Sequence, residues 1–467
     1  MARPSRSEFT SRIRGLTDRM REEIASGKLR PGDYLPSEVE LGTLFGLSKE
    51  SVRKALDALV QEGLIVKMKR VGNRVVRPPE REPDRGDPDA RGERTAIRFA
   101  YYPSLETEAR TAESIAAFER AHPSIEVRAI PTPFPAEYAA HGVADVIALT
   151  NWDALKWKER DRSFATLRAA PETTAAHPSL FRPFLDATGR AAAAPYVYSP
   201  IVLCYNREHF AACSQEEPQP DWTWYTLLKA ARALGARLGV TGFASHMQSV
   251  NRWTVFLLQN GFRFGEAEEE GARAADRPAL WDSLRVAREL IHQQEGGTRF
   301  WTENDADAER WFGEGRVSMI MTSYFGLNRL LPTGIDYGVA RLPKLRSDAT
   351  LLLVTGLAVA AETKHPEAAE AFVRFLTDRD VQLGIRRATS TLPAHPEALA
   401  ARDGLKGNRP SREPDLSRMW DACKDYAELR LDPAALEAVR EELKGYWSKL
   451  EDESEASLRL ETLLLGK

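Results

Sequence analysis

Leu35 to Val75 reads LPSEVELGTLFGLSKESVRKALDALVQEGLIVKMKRVGNRV, and this stretch decides how the first part of the chain folds. Ser37 follows Pro36 and precedes Glu38 and Glu40, which makes it a good N-cap for a helix burying Val39, Leu41, Leu44 and Phe45. Gly46 stops that helix. Ser48 caps a longer one, in which Val52, Ala55, Leu56, Leu59 and Val60 recur at helical spacing and form the core face. Its other face begins with Lys49, Glu50, Ser51, Arg53 and Lys54. Two short helices with a glycine-containing turn make a helix-turn-helix, whose second helix would enter the DNA major groove. After Gly63, Leu64–Lys67 and Asn73–Arg77 alternate like two short strands, with Gly72 near the turn. This wing is basic through Lys67, Lys69, Arg70, Arg74 and Arg77. An amphipathic helix comes first, with Ile13, Leu16, Met20 and Ile24 as its apolar stripe.

The bland alternative is a small helical domain with ordinary surface charge. Charge separates the two readings. Residues 1–77 hold 16 Lys/Arg against 10 Asp/Glu, a net +6, while the whole chain is −3, so the remainder is −9. A basic head on an acidic body suits phosphate contact at one end only.

Pro36-Ser37-Glu38, Ser48-Lys49, Val52-Arg53, Ala55-Leu56 and Glu62-Gly63-Leu64 together resemble the winged helix-turn-helix of the GntR family of bacterial transcription regulators. The resemblance implies that Ser48, Lys49, Ser51 and Arg53 face DNA, with the wing tip around Arg70 to Asn73. The full DNA-contacting set expected is Ser37, Ser48, Lys49, Ser51, Arg53, Lys54, Arg70, Gly72, Asn73 and Arg74. The chain departs from the family in three places. Val39 stands where an Arg is usual, Lys49 replaces an Arg and loses its two-pronged fit to guanine, and Arg70 stands where a wing Gly is common. The operator sequence is therefore expected to differ from the familiar one.

At 467 residues the chain is long enough for two or three domains. The polar, arginine-rich start lacks the apolar run of a secretory signal, and no stretch is long enough to cross a membrane, so a cytoplasmic protein without membrane contact is expected. Cys204, Cys213 and Cys423 are odd in number and show no metal spacing, which fits reduced thiols. Residues 78–94, PPEREPDRGDPDARGER, hold four prolines and almost nothing apolar. They read as a linker between a head at 1–77 and a body at 95–467.

The body alternates strand and helix. Strands are expected at Ile97–Tyr102, Ile125–Ile130, Asp145–Leu149, Ile201–Tyr205, Ser318–Met321, Tyr337–Ala340 and Leu352–Ala360. Helices are expected at Thr107–His122, Trp222–Leu238 and Pro366–Leu376, and through most of the tail from Asp415. Such alternation predicts an α/β sheet with a cleft at the strand C-termini. Trp222 and Trp224 bracket Thr223, a helix cap, and read as core.

Several pieces in order resemble the family 1 extracellular solute-binding proteins of bacterial ABC importers, the sugar-binding type. They are Ala117–Pro123, Asp145-Val146-Ile147, Leu203–Asn206, Trp222-Thr223-Trp224, Phe312–Ile320, Gly338–Pro343, Ala368–Phe372 and Leu392-Pro393-Ala394. The resemblance implies a two-lobed α/β domain of the periplasmic-binding-protein type II. Lobe 1 would hold about 95–197 and 346–390, and lobe 2 about 199–343 and 391–467. Crossings would fall near Tyr198, near Lys344 to Leu351 and near Thr389 to Leu392.

A sugar offers flat C–H faces and many hydroxyls, so its site needs aromatic rings and polar side chains. Position nominates Tyr101, Tyr102 and Ser104 after the first strand, and Asn151, Trp152 and Asp153 after the third. Tyr198 and Ser199 mark the first crossing, and Gln248, Arg252 and Trp253 the second lobe. Tyr324, Phe325 and Thr355 complete the set, with Trp152, Tyr198, Trp253 and Phe325 favoured. A Trp in an α/β lobe is more often core than ligand platform. Arg386 and Arg387 could reach an acidic sugar, but a solvated helix face is the expectation.

An enzyme is disfavoured. A pyridoxal-phosphate domain of the aminotransferase kind, known in one GntR subgroup, would need a Schiff-base lysine and a phosphate cup, and no such run is present. No carboxylate pair stands out for glycoside hydrolysis, and no HExxH spacing or phosphate loop occurs. The expected protein is a homodimeric, cofactor-free and metal-free repressor of operator DNA that senses a mono- or oligosaccharide. An amino acid, peptide or polyamine ligand, or a body serving only as a dimerisation platform, remains open.

Overall fold

The structure is a computed structural model. It describes residues 16, 17, 19, 20, 23, 29, 35–45, 47, 49–61, 64–68, 72–76, 94–161, 163–264, 277–292, 302 and 304–465. The chain divides into two compact units, Met1–Arg91 and Gly92–Lys467.

In the first unit, α1 (Glu38–Phe45) and α2 (Lys49–Gln61) are followed by β1 (Ile65–Met68) and β2 (Gly72–Val75). The Ser37 carbonyl accepts the Leu41 N–H at 2.9 Å, as a residue at a helix N-cap does. Val52, Ala55, Leu56 and Leu59 of α2 close on Leu16, Met20, Leu41, Ile65 and Val75. Leu44, expected in this core, is instead 59 % exposed. The two strands form an antiparallel hairpin, Ile65 opposite Val75 and Met68 opposite Gly72. The wing is tied back by the Leu35 N–H, which donates to the Asn73 carbonyl at 2.8 Å.

In the second unit, a nine-stranded sheet runs in the order β10-β6-β9-β5-β3-β4, with β7 and β8 pairing β6 and a ninth strand, Cys423–Lys424, pairing β9. Here β3 is Thr95–Tyr101, β4 Ile125–Pro131, β5 Val146–Thr150, β6 Ala194–Asn206, β7 Met319–Ser323, β8 Tyr337–Ala340, β9 Thr350–Val359 and β10 Leu392–Pro393. β3 is parallel to β4 and β5, and β9 is antiparallel to β5 and β6. β6 is twice as long as its apolar pattern suggested. Pro195 and Pro200 lie within it, and proline lacks the N–H a ladder needs. The strand tolerates them by a register shift between Pro195 and Val197 and by changing partners at Pro200. Up to Pro200 it pairs β9, and from Ile201 it pairs β7 and β8.

The expected helix Thr107–His122 is broken. A turn at Leu105–Glu108 ends at Ala109, Arg110 takes φ 53°, and α3 runs Thr111–Ala121. Thr223 caps α5 (Trp224–Leu238), its hydroxyl accepting the Thr226 N–H at 3.2 Å, and Trp222 and Trp224 are buried as expected. α6 (Val250–Gln259) is buried along nearly its whole length. The tail is less helical than expected: strand β11 (Cys423–Lys424) and short 3-10 turns precede α11 (Pro433–Trp447) and α12 (Glu453–Leu465). Between α6 and α11 lie α7 (Arg277–Ile291), α8 (Asp305–Gly313), α9 (Pro366–Thr377) and α10 (Arg379–Ala388). Cys204, Cys213 and Cys423 are buried and unbridged.

Trp253 of α6 is 1 % exposed and packs against Trp447 of α11, ring centres 6.0 Å apart. It belongs to the core of the second lobe, which corrects its nomination as a ligand platform. Trp253→Ala should therefore destabilise the chain by about 3–5 kcal/mol, the usual cost of deleting a buried tryptophan. Urea unfolding measures this, and an unchanged midpoint would return Trp253 to the ligand candidates.

Candidate DNA-binding face and ligand cleft

On α2, Arg53 is exposed, and on β2 so is Arg74. Both can reach phosphate or base edges. Ser37 is also exposed, beside the start of α1. Two other expected contacts face inward. Ser51 is 7 % exposed and Asn73 6 %, because each falls on the side of its element that packs the small core. Lys49 and Lys54 lie in α2 and Gly72 opens β2. Ser48 and Arg70 lie outside the described residues.

In the second unit the first-lobe strand ends carry a polar group of their own. Thr150 caps α4 (Asn151–Arg160), accepting the Asp153 N–H and donating to the Asp153 carboxylate, both at 3.1 Å. The Tyr102 hydroxyl donates to the same carboxylate. Burial and then the Asp153 charge hold that hydroxyl firmly protonated. Trp152, half-buried, sets its ring edge-on to Tyr426 at 4.9 Å, with the Lys156 ammonium 5.4 Å above it. The Tyr426 hydroxyl donates to the Asn251 side chain on α6. Trp152, Tyr426 and Asn251 thus join the two lobes on one side.

The facing wall is charged. Arg252, 2 % exposed, donates to the Met321 carbonyl at 3.2 Å and pairs with Asp305 at 3.1 Å. Glu309, 4 % exposed, accepts the Thr322 hydroxyl at 2.7 Å and pairs with Arg329 at 3.1 Å. Loss of water pushes its carboxyl upward. From the first lobe, Glu108 comes within range of Glu309 and Arg329. Its carboxyl is pushed up to about 7, chiefly by loss of water and further by the Glu309 charge, against the pull of the Ser104 hydroxyl and Arg329. Half-buried Phe325 packs on first-lobe apolar residues beside Tyr102.

Each cation on these walls has a carboxylate: Arg252 has Asp305, Arg329 has Glu309, and Lys156 has Asp153 at 3.7 Å. Glu108 is a fourth acid beyond those three. The walls are therefore more acidic than the aromatic and neutral set read from sequence. A cavity of about 310 Å³ also lies at the seam, between Asn151, Leu155, Lys158, Arg182 and Pro183 on one side and Lys424, Asp425, Ala427 and Glu428 on the other.

Of the nominated ligand residues, Tyr102, Ser104, Trp152, Asp153, Arg252 and Phe325 gather where the lobes meet. Gln248 is half-buried just before the α6 cap, Ser249. Others are structural. The Tyr101 ring stacks on Phe99 at 5.0 Å and its hydroxyl donates to Glu106. Asn151 clamps β9, donating to the Leu352 carbonyl at 2.9 Å and accepting the Val354 N–H at 3.2 Å. The Ser199 hydroxyl accepts the Tyr324 N–H at 2.7 Å. Thr355 is buried mid-sheet, between Thr150 and Val197. Tyr198 and Tyr324 are 2 % and 1 % exposed, in the apolar cluster behind the crossing. Sequence reading missed Glu108, Asp305, Glu309, Arg329 and Tyr426. One signal was present: Asp305 and Glu309 are like charges four apart on one helix, a repulsive arrangement that calls for outside partners.

Residues 103–383, more than half the chain, match the family described as "Bacterial extracellular solute-binding protein". Residues 13–75 match "Bacterial regulatory proteins, gntR family". Among curated relatives, the sn-glycerol-3-phosphate-binding periplasmic protein UgpB of Brucella abortus is 24 % identical over 246 residues, 48 % of this chain and 54 % of that protein. The mannosyl-D-glycerate transport/metabolism system repressor MngR of Escherichia coli is 50 % identical over 52 residues, 11 % of this chain and 22 % of that one. The chain thus spans about half the length of UgpB and about a fifth of MngR. The GacH receptor of Streptomyces glaucescens, solved unliganded and with acarbose, superposes with a TM-score of 0.66 at 19 % identity, covering 79 % of this chain and 98 % of the receptor. The chain belongs to the bacterial extracellular solute-binding protein family and carries at its N-terminal side a helix-turn-helix domain of the gntR regulator family.

Proposed function

We propose that this chain is a ligand-responsive transcription regulator that acts in the cytoplasm. The head binds operator DNA, and the two-lobed body takes a saccharide. The carrying observation is the union in one chain of a winged helix with outward Arg53 and a solute-binding body whose lobes meet across a polar wall. Paired heads reading symmetric half-sites imply a homodimer, and release of repression on ligand binding is the sign we assign. GacH was solved with acarbose, and MngR is named for a sugar glycerate, which favours a carbohydrate. No described helix is long and apolar enough to cross a membrane.

The surplus of carboxylates supports one rival, a cationic ligand such as a polyamine. A thermal-shift panel of neutral saccharides, amino acids and polyamines separates the two. A ligand at 100 times its dissociation constant adds about 2.7 kcal/mol, which is easily seen. A response confined to polyamines would overturn the carbohydrate reading and keep the architecture.

For the head, Arg53→Ala should weaken operator binding by roughly tenfold or more, since one base or phosphate contact carries about 1–3 kcal/mol. Gel mobility shift measures it, and unchanged affinity would remove Arg53 from the DNA face. For the cleft, the folded Glu108 carboxyl binds its proton more tightly than the unfolded chain does, near 7 against an ordinary 4.5. Its contribution to stability is complete below about pH 4.5 and is lost as pH rises through about 7. Glu108→Gln should flatten that slope and raise the thermal midpoint at pH 8. Parallel wild-type and variant curves would show that the carboxyl ionises freely.

A further inference from the structure

Arg386 sits on α10 just before the third crossing, and it is 2 % exposed rather than solvated. Its neighbour Arg387 does follow expectation, pairing with Asp403 at 2.9 Å on the surface. A buried guanidinium without a partner is costly, so buried cations pair almost without exception. The cleft cations obey this rule. Among the described residues Arg386 does not: it forms no ion pair, and its Nε meets no acceptor. Burial, first, disfavours its charge.

Its surroundings share the deficit. Among the described residues the hydroxyls of Tyr198, Tyr324 and Ser390 have no hydrogen-bond partner, and all three residues are at most 2 % exposed. Both tyrosines lie within electrostatic range of Arg386. Ser390 follows it four residues later. The nearby charges are mostly positive. The Arg402 charge disfavours that of Arg386, which in turn disfavours that of Arg409, and Arg409 spends its donors on the carbonyls of Thr389, Arg386 and Arg387. Among the described residues Glu413 is the single acid in electrostatic range, and it forms no ion pair with Arg386.

A guanidinium can only donate, and the three buried hydroxyls can turn to donate as well. One species satisfies such a set. We propose that Arg386, Tyr198, Tyr324 and Ser390 form a site for a phosphate or carboxylate group, separate from the paired walls of the cleft. The location gives it leverage. Tyr198 lies on the crossing strand β6, Tyr324 follows β7 of the second lobe, and Arg386 and Ser390 lead into β10. An anion held by all of them fixes one arrangement of the crossing.

The test is a thermal shift and calorimetric titration of the full chain with inorganic phosphate, glucose 6-phosphate, glucuronate and, as neutral control, glucose. Wild type should bind at least one anion. Arg386→Met, which keeps the length of the side chain and removes the buried charge, should hold or raise the thermal midpoint without anion. It should weaken anion binding by about tenfold or more, as expected for a lost charged hydrogen bond. Tyr198→Phe with Tyr324→Phe should weaken it in the same direction. A response to inorganic phosphate would identify a free anion. A response only to glucose 6-phosphate or glucuronate would identify an anionic group on a sugar. Equal binding by wild type and Arg386→Met would overturn the site, since the anion would then sit on the head or in the cleft. No response to any anion would overturn it too. A glucose response unchanged in Arg386→Met bears on the saccharide cleft alone and leaves the two readings separable.

Discussion

One strand constrains everything in the body. Ala194–Asn206 is buried at all thirteen positions and belongs to both lobes at once. Its first half is held by β9 and, at Val197 and Tyr198, by β10, while its second half is held by β7 and β8. A strand paired on both edges cannot bend freely, so the change of partner must be confined to one place. Pro200 marks that place, and its missing N–H removes a donor that would otherwise be stranded there. Neighbouring hydroxyls take up the other loose backbone groups. Thr350 donates to the Ile201 carbonyl at 2.6 Å, and Ser199 accepts the Tyr324 N–H. Ser199 was a reasonable ligand candidate by position, yet the crossing itself consumes it.

The two groups of buried charge in the body follow opposite rules. Where the lobes face each other, each cation has its carboxylate and Glu108 is one acid more, and loss of water pushes the Glu108 and Glu309 carboxyls upward. Matched walls repel no neutral ligand and offer oxygen acceptors to its hydroxyls. Beside the crossing, Arg386 and Arg409 face a single acid. Composition could not distinguish these regions, since the chain as a whole is nearly neutral.

Much of the fold was legible because its signals are local. Core periodicity in α2, the Thr223 cap and the apolar runs of β5 and β8 depend on adjacent residues, and each element formed within a residue or two of expectation. What escaped depends on distant neighbours. The first half of β6 looked broken because its prolines are tolerated only when β9 supplies the register shift. Position at a strand end nominated Tyr102, Trp152, Asp153 and Phe325, of which Tyr102 meets Asp153 and Trp152 packs on Tyr426. It was a poor guide to which way a ring points. Tyr101 ends β3 and stacks on Phe99, while Tyr102, just past the strand, turns its hydroxyl to Asp153. Arg386 was hardest to read, because nothing beside it in sequence shows that it will be buried within range of Tyr198 and Tyr324.

The same geometry indicates how occupancy of the cleft could be felt by the rest of the chain. A ligand shifts an equilibrium only by binding one state better than the other. Where the lobes meet, the Glu309 charge disfavours ionisation of Glu108, so a group that donates hydrogen bonds to these carboxyls would favour the arrangement that brings them into range. Two hydroxyls of one ligand, one donated to each carboxyl, would weaken their repulsion, while an apolar ligand of equal size would not. Coupling of about 1–3 kcal/mol is typical of regulated proteins, and one such charged hydrogen bond is of that size. The acidic pair is therefore the place in the seam where a hydroxyl-bearing ligand and an apolar one would differ in effect.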